Sequence, residues 1–302
     1  MREAVPRALD GERIDRVLSL LTGLPRSQTA GLLEGGGVRL DGMPVESRSR
    51  RVREGEVVEV EVPERAEARL VPDPAVPVAV VHEDEHVVVV DKPAGIVVHP
   101  GAGQSSGTLV QGLLHRYPEL AGVGEAGRPG VVHRLDKGTS GLLVVARTSR
   151  AYASLVEQLA ARAVERRYLA LVWGHLEAGR GVVDAPVGRS AADPTRMAVS
   201  ARGRPARTGY EVVERFTEPA PLTLVECHLE TGRTHQIRVH LAAIDHPVVG
   251  DARYGRGRRA LTMSRPFLHA HRLSFDHPAD DRRCQFESPL PSDLESIREV
   301  LR

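Results

Sequence analysis

The chain has 302 residues, enough for one large domain or two at roughly 100–200 residues each, with a core that needs no metal or disulfide. Lys and Arg total 41 against 40 Asp and Glu, a net charge of +1 that argues against a chain cationic throughout, and 41% hydrophobic residues fit an ordinary globular protein. Two distant cysteines, Cys227 and Cys284, exclude a disulfide framework and a zinc pair and point to a reducing cytoplasm.

In chain order, the first 15 residues mix charges of both signs without an apolar core, so no secretory signal is expected, and no run of about 18 apolar residues spans a membrane. Ile14, Val17, Leu18 and Leu21 have helical spacing, with Asp10 as the expected N-cap and Gly23 after the run. Ser27 is placed to cap a second helix carrying Leu32 and Leu33. Val38 to Leu40, an Asp41-Gly42 turn and Pro44-Val45 predict a hairpin, and 57–62 alternates like a strand. Four prolines within 63–77 forbid a helix or central strand there, so that stretch is read as a linker between a unit at 1–62 and a larger one at 78–302. In the larger unit, 78–81, 87–90, 131–132, 142–145, 169–172 and 222–225 read as strands. Segments 109–114, 151–163 and 234–243 read as helices, the last capped by Thr231 or Thr234. The two types do not alternate strictly, which predicts an α+β sheet rather than a parallel barrel.

The near-zero charge hides local excess. Arginine supplies 39 of the 41 cations, and neither 196–210 nor 253–272 contains an acid, so nucleic-acid contact and a plain solvated surface are equally open on this ground. The G-x-G-x-x-G of 122–127 neither follows a strand nor opens a helix, so it is no dinucleotide site. The Gly/Ser stretch 101–107 lacks the Lys-Ser/Thr of a phosphate loop. His235 and His240 are five apart, His269 and His271 have no carboxylate near in sequence, and no G-x-S-x-G exists. Neither metal nor hydrolase chemistry gains support.

Three polar segments next to apolar strands remain. They are Asp91 to Pro100 (DKPAGIVVHP), His133 to Leu142 (HRLDKGTSGL) and Glu230 to Arg238 (ETGRTHQIR). Loops on rigid strands concentrate function, and both lysines of the chain, Lys92 and Lys137, fall in the first two. Taken singly, Asp136 is an ordinary surface acid, Arg134 and Arg233 ordinary solvated arginines, and His133 a core histidine. Together with Arg166 to Gly174 (RRYLALVWG) they form a pattern. HRLDKGTSGL resembles the signature of the RluA/RluD family of pseudouridine synthases, and the other three segments resemble that family's further motifs, in its order, over about 80–250. The one small departure is Arg167, where the family usually has lysine before the tyrosine. Residues 11–62, through Arg13-Ile14-Asp15, Arg26-Ser27 and the hairpin at 38–42, more loosely resemble the small RNA-binding module first described in ribosomal small-subunit protein four.

The resemblance implies a mixed, mainly antiparallel catalytic domain of the pseudouridine synthase fold behind a small N-terminal α/β RNA-binding domain. It implies an isomerase that turns uridines of large-subunit (23S) ribosomal RNA, free or in a pre-ribosomal particle, into pseudouridine without cofactor or metal. A tRNA-directed enzyme and a silent RNA-binding assembly protein are the alternatives. Asp136 is implied as the catalytic carboxylate, Arg233 as its ion-pair partner, and Tyr168 as the residue that stacks on the base and helps remove its C5 proton, directly or through water. Arg134 is implied to fill the space left by the flipped nucleotide. His133, Lys92, Lys137, Thr139, His235, Arg238, Arg26 and Arg39 are expected to contact RNA. A cytoplasmic monomer is expected.

Overall fold

The computed structural model describes residues 1–302 apart from 25, 46, 62–69, 102, 256, 259, 260 and 262, and apart from the side chains of 26–28. The chain divides into two units, Met1–Arg69 and Leu70–Arg302.

In the first unit, β1 (Arg2–Ala4) is followed by α1 (Ile14–Thr22), α2 (Arg26–Glu34), β2 (Val38–Leu40), β3 (Met43–Pro44) and β4 (Val57–Val60). The strands form an antiparallel sheet in the order β1-β4-β2-β3. Asp41 and Gly42 both have positive φ, 49° and 80°, the two-residue turn that matches strand twist. Ile14, Val17 and Leu18 from α1 and Leu33 from α2 bury against Val38, Leu40, Val58 and Val60. The α1 cap departs from expectation: Arg13 takes the N-cap position, and Asp10 instead accepts the Glu54 N–H at 2.9 Å. Gly23 ends the helix with φ 68°. Helix α2 begins at Arg26, so Ser27 lies inside it.

The second unit contains β5 (Val80–Glu83), β6 (Val87–Lys92), α3 (Leu109–Arg116), β7 (Ser140–Ala146), α4 (Ser149–Ala160), β8 (Glu165–Trp173), β9 (Arg180–Asp184), β10 (Val187–Arg189), β11 (Met197–Val199), β12 (Arg207–Phe216), β13 (Leu222–Leu229), α5 (Gln236–Ala243), β14 (Leu268–Asp276), β15 (Arg283–Glu287) and α6 (Ser292–Glu299). Its main sheet runs β5-β6-β7-β14-β8-β13-β12-β9, with β15 also on β14; every pairing is antiparallel except β7 with β14. Strand β6 shows why its sequence is unbroken valine. Val88 and Val90 pack with α3, whereas Val87 and Val89 pack with α4 and Phe275, so both faces are covered.

Residues 70–77, expected within the linker, belong to this unit. Val76 is buried, the Val71 carbonyl accepts from Gln111, and the Asp73 N–H donates to the Gln111 carbonyl. The prolines exclude regular structure but not an extended segment docked on α3. Val131 forms a single bridge to Val145 rather than a strand.

Gly141 marks where β7 meets β14. Its φ is 114°, and a Cβ there would lie 2.3 Å from the Ala270 carbonyl oxygen. We expect Gly141→Ala to cost about 2–4 kcal/mol in chemical denaturation; an unchanged midpoint would contradict this close approach.

Candidate active site

A cleft of about 500 Å³ opens where the 133–139 loop, the start of β8 and the 230–238 segment converge. The 133–139 loop is braced from several sides. Gly95 N–H donates to the Lys137 carbonyl at 2.7 Å, Thr139 N–H to the Asp136 carbonyl at 3.1 Å, and Arg265 Nη1 to the Gly138 carbonyl at 3.3 Å. Arg265 is itself clamped by both oxygens of Asp293 on α6.

Asp136 sits in this cleft, and its cationic partner differs from expectation. Arg238 Nη1 donates to Asp136 Oδ2 at 3.1 Å. Arg233 points elsewhere, its Nε donating to the Pro205 carbonyl at 3.1 Å. The reason is local. Gln236 accepts from Thr231 Oγ1 and Arg233 N–H and donates to the Arg207 carbonyl and Thr208 Oγ1. This buried amide folds 231–235 into a turn that carries the Arg233 side chain toward Pro205. The same turn places His235 at the α5 N-cap with φ 57° and no side-chain cap, so neither Thr231 nor Thr234 caps the helix. Arg238, inside the first turn of α5, faces inward.

Arg238 is held by a second acid. Its Nε and Nη2 meet the two oxygens of buried Asp251 at 2.6 and 2.9 Å, and Asp251 also accepts the Arg253 and Tyr254 N–H groups. Burial opposes the guanidinium charge, but the two carboxylates outweigh it and raise the Arg238 pKa. The Tyr254 hydroxyl accepts the Met197 N–H at 3.1 Å, leaving its own proton for His235 Nδ1 at 2.9 Å. That assignment puts the His235 proton on Nε2, 4.0 Å from Asp136 Oδ2. Burial keeps His235 below its ordinary pKa. Asp251 and Tyr254 were invisible to sequence reasoning: a lone acid and a lone tyrosine in an arginine-rich stretch carry no spacing signal.

Tyr168 lies on β8 in the cleft wall and is buried; burial pushes its phenol up to about 12. Arg167 faces the other side of β8 and pairs with Glu226 at 2.8 Å, so Arg166, not Arg167, reaches the cleft. Arg134 is exposed and donates to His99 Nε2 at 3.1 Å, while His99 Nδ1 donates to the Pro100 carbonyl. Lys137 is exposed beside it, and Arg39 is exposed on β2. The Arg26 side chain lies outside the described residues.

Three expected RNA contacts take inward positions. Thr139 is buried. His133 accepts the Val144 N–H through Nε2 at 3.2 Å, and burial lowers its pKa to about 3, so it lines the cleft uncharged. Lys92 is 0% exposed, and its ammonium donates to the carbonyls of Pro93 and Ile96, both at 2.9 Å. It ties the 93–96 turn instead of meeting RNA, because the β6 position that holds it is covered on both sides.

Burial pushes Lys92 down to about 7. Between pH 7 and the ordinary lysine value near 10.4 the unfolded chain then holds a proton that the folded chain lacks, so stability rises with pH through that window. Lys92→Met should flatten this rise in denaturation midpoints; equal slopes for the two proteins would refute it.

The arginine-rich stretches are only partly uncompensated. Arg207, Arg258, Arg265 and Arg272 find acids distant in sequence. Among the described residues Arg196, Arg202, Arg204 and Arg253 make no ion pair.

Comparison with known proteins identifies the family. Residues 86–243 match the RNA pseudouridylate synthase family model, and residues 12–58 match the S4 domain. The chain is 44% identical, over 99% of its length and 87% of the relative's, to ribosomal large subunit pseudouridine synthase D of Nitrosomonas europaea. It is 45% identical, over 100% and 93%, to the protein of the same name from Xanthomonas campestris pv. campestris. The solved structure titled Human RNA Pseudouridylate Synthase Domain Containing 1 is similar with a TM-score of 0.57 and 29% identity, covering 73% of this chain and 86% of that one. With four motifs converging on one cleft and a family match across more than half its length, the chain belongs to the RNA pseudouridylate synthase family.

Proposed function

We propose that this protein isomerises uridines of large-subunit ribosomal RNA to pseudouridine, with Asp136 as the catalytic carboxylate. The observation that carries the site assignment is the state of that side chain. Arg238 holds Oδ2, while among the described residues Oδ1 accepts no hydrogen bond and remains available to a substrate in a cleft walled by arginines. The names of the relatives in Nitrosomonas and Xanthomonas support the ribosomal substrate.

The reaction breaks the N1–C1′ bond, turns the base, joins C5 to C1′, and moves a proton from C5 to N1. Nothing is oxidised or hydrolysed. The Asp136 carboxylate acts on the ribose C1′ or on the base. Tyr168, whose phenol burial pushes up to about 12, stacks on the base, and its hydroxyl faces the C5 proton either directly or through water. Flipping the nucleotide costs a few kcal/mol, and the exposed Arg134, which among the described residues hydrogen-bonds only His99, is placed to swing into the vacated stack. His235 and Arg238 position Asp136. Lys137 on the rim meets phosphate. Residues 1–69 serve as a separate RNA-binding module through Arg39 and its neighbours.

Pseudouridine mapping of ribosomal and transfer RNA, with and without the protein, tests this reading. Sites lost only from large-subunit RNA are expected; sites lost only from tRNA would overturn the substrate. For the N-terminal unit, Arg39→Glu in the full chain should weaken rRNA binding roughly threefold to tenfold and reduce its salt dependence. Unchanged binding would remove Arg39 from the interface.

A further inference from the structure

Arg166 is an unusual cation. It is only 7% exposed, yet among the described residues it makes no ion pair. Of its five N–H groups, the protein gives an acceptor to one, the Leu229 carbonyl at 3.4 Å from Nη2. Its Nε is buried without any partner. Among the described residues the other buried arginines are matched: Arg238 by Asp136 and Asp251, Arg265 by Asp293. A buried charge without a counter-charge costs several kcal/mol, so a fold that retains one has a use for it.

The surroundings say which use. Arg166 stands two residues before Tyr168 on β8, so both side chains face the cleft. The 230–233 turn makes room for the guanidinium: a Cβ on Gly232 would come 2.9 Å from Arg166 Nη1. His133 lies in the same wall. Because its Nε2 accepts from Val144, its Nδ1 carries the proton, and among the described residues that N–H is the other buried side-chain donor without a partner. Two orphaned donors, one of them on an uncompensated cation, border a cleft that receives RNA. Glu230 in the same wall is taken by Arg162 and Arg207, and Asp136 is held by Arg238. The missing partner is anionic and has several acceptor oxygens.

We propose that Arg166, with the His133 Nδ1–H beside it, forms a phosphate subsite that binds the RNA phosphodiester next to the flipped uridine. It rests on the reading that this cleft takes a uridine of RNA, and it adds a cation that fixes the backbone while Tyr168 holds the base. Binding supplies the counter-charge that the fold withholds, so the subsite costs stability in the free protein and returns it in the complex.

The test is salt-dependent binding of a uridine-containing RNA stem-loop, together with thermal melting of the free protein. In the full chain, Arg166→Met should reduce the slope of log affinity against log salt by about 0.7, the value of one single-strand phosphate contact. The free Met variant should melt at the same temperature as the parent or higher, because it removes an unpaired buried charge. Arg166→Lys should keep the slope. Gly232→Ala, which displaces the guanidinium but not its charge, should weaken binding. Two results would overturn the subsite. One is an unchanged slope in Arg166→Met, even with weaker binding, as for contact with a neutral uracil carbonyl. The other is a lower melting temperature of free Arg166→Met with RNA binding intact. Should the Met variant fail to fold, a Lys variant that loses the slope, or a Gly232→Ala variant that binds normally, overturns it equally. Asp136→Ala separates the two proposals, since it should abolish isomerisation and leave the slope as in the parent.

Discussion

Asp136→Ala in the full chain loses uridine isomerisation by about 10⁴-fold or more, the scale on which removing an essential catalytic group acts, while RNA affinity changes by less than about tenfold. The expectation follows from where the carboxylate sits. One oxygen is held by Arg238 and the other faces the cleft, so truncation removes the reacting group without emptying the core. Single-turnover pseudouridine formation measures the loss, and gel-shift or anisotropy titration measures the binding. Activity within tenfold of the parent would remove Asp136 from the chemistry. Loss of binding along with activity would instead mean that the loop collapses without its ion pair.

The second large effect separates two arginines five residues apart. Arg238→Met strands the Asp251 carboxylate, whose side chain is fully buried, and frees Asp136. Removing one partner of a buried pair costs about 3–5 kcal/mol. Two backbone N–H groups still serve Asp251, so the low end applies. That corresponds to a fall of roughly 6–12 °C in melting temperature for a unit of this size. Isomerisation should fall at least about a hundredfold, carried by kcat, because the carboxylate loses the contact that orients it. Arg233→Met should change stability by less than about 0.5 kcal/mol and act only on RNA affinity. If Arg233→Met proved the more damaging variant, the ion pair would change partners on RNA binding, and the assignment here would be wrong.

Much of this was legible in the residues alone. The apolar runs at 87–90 and 142–145 announce central strands because both their faces are covered, and such strands have nothing to alternate. Helices α1 and α3 to α5 are visible through spacing. The four motifs, three of them polar segments abutting apolar strands and the fourth the strand β8 itself, pointed through the family resemblance to one site and to uridine isomerisation. By contrast β12, β14 and β15 were missed. Their sequences mix charged residues and histidine with apolar ones, and their strand state comes from neighbours: β12 lies between β13 and β9, and β14 between β7 and β8. Helix α6 was missed for the same reason, since only Leu294 is buried.

Sequence by itself determined which residue types gather at the site, because chemistry depends on side-chain identity and each motif is contiguous. It determined the two-unit plan, through the difference in pattern on either side of the prolines. Only tertiary structure decided the partnerships. Arg233 and Arg238 share a motif and a charge, and nothing local separates them. The buried amide of Gln236 turns one toward Pro205, and Asp251, thirteen residues beyond Arg238, holds the other against Asp136. Lys92 and Lys137 likewise look alike in a chain of arginines, yet one is sealed under a turn and the other stands in solvent. Burial and long-range ion pairing are properties of the assembled sheet. They are set by residues a hundred or more positions apart, as Asp136 and Arg238 are, and no window of sequence contains both.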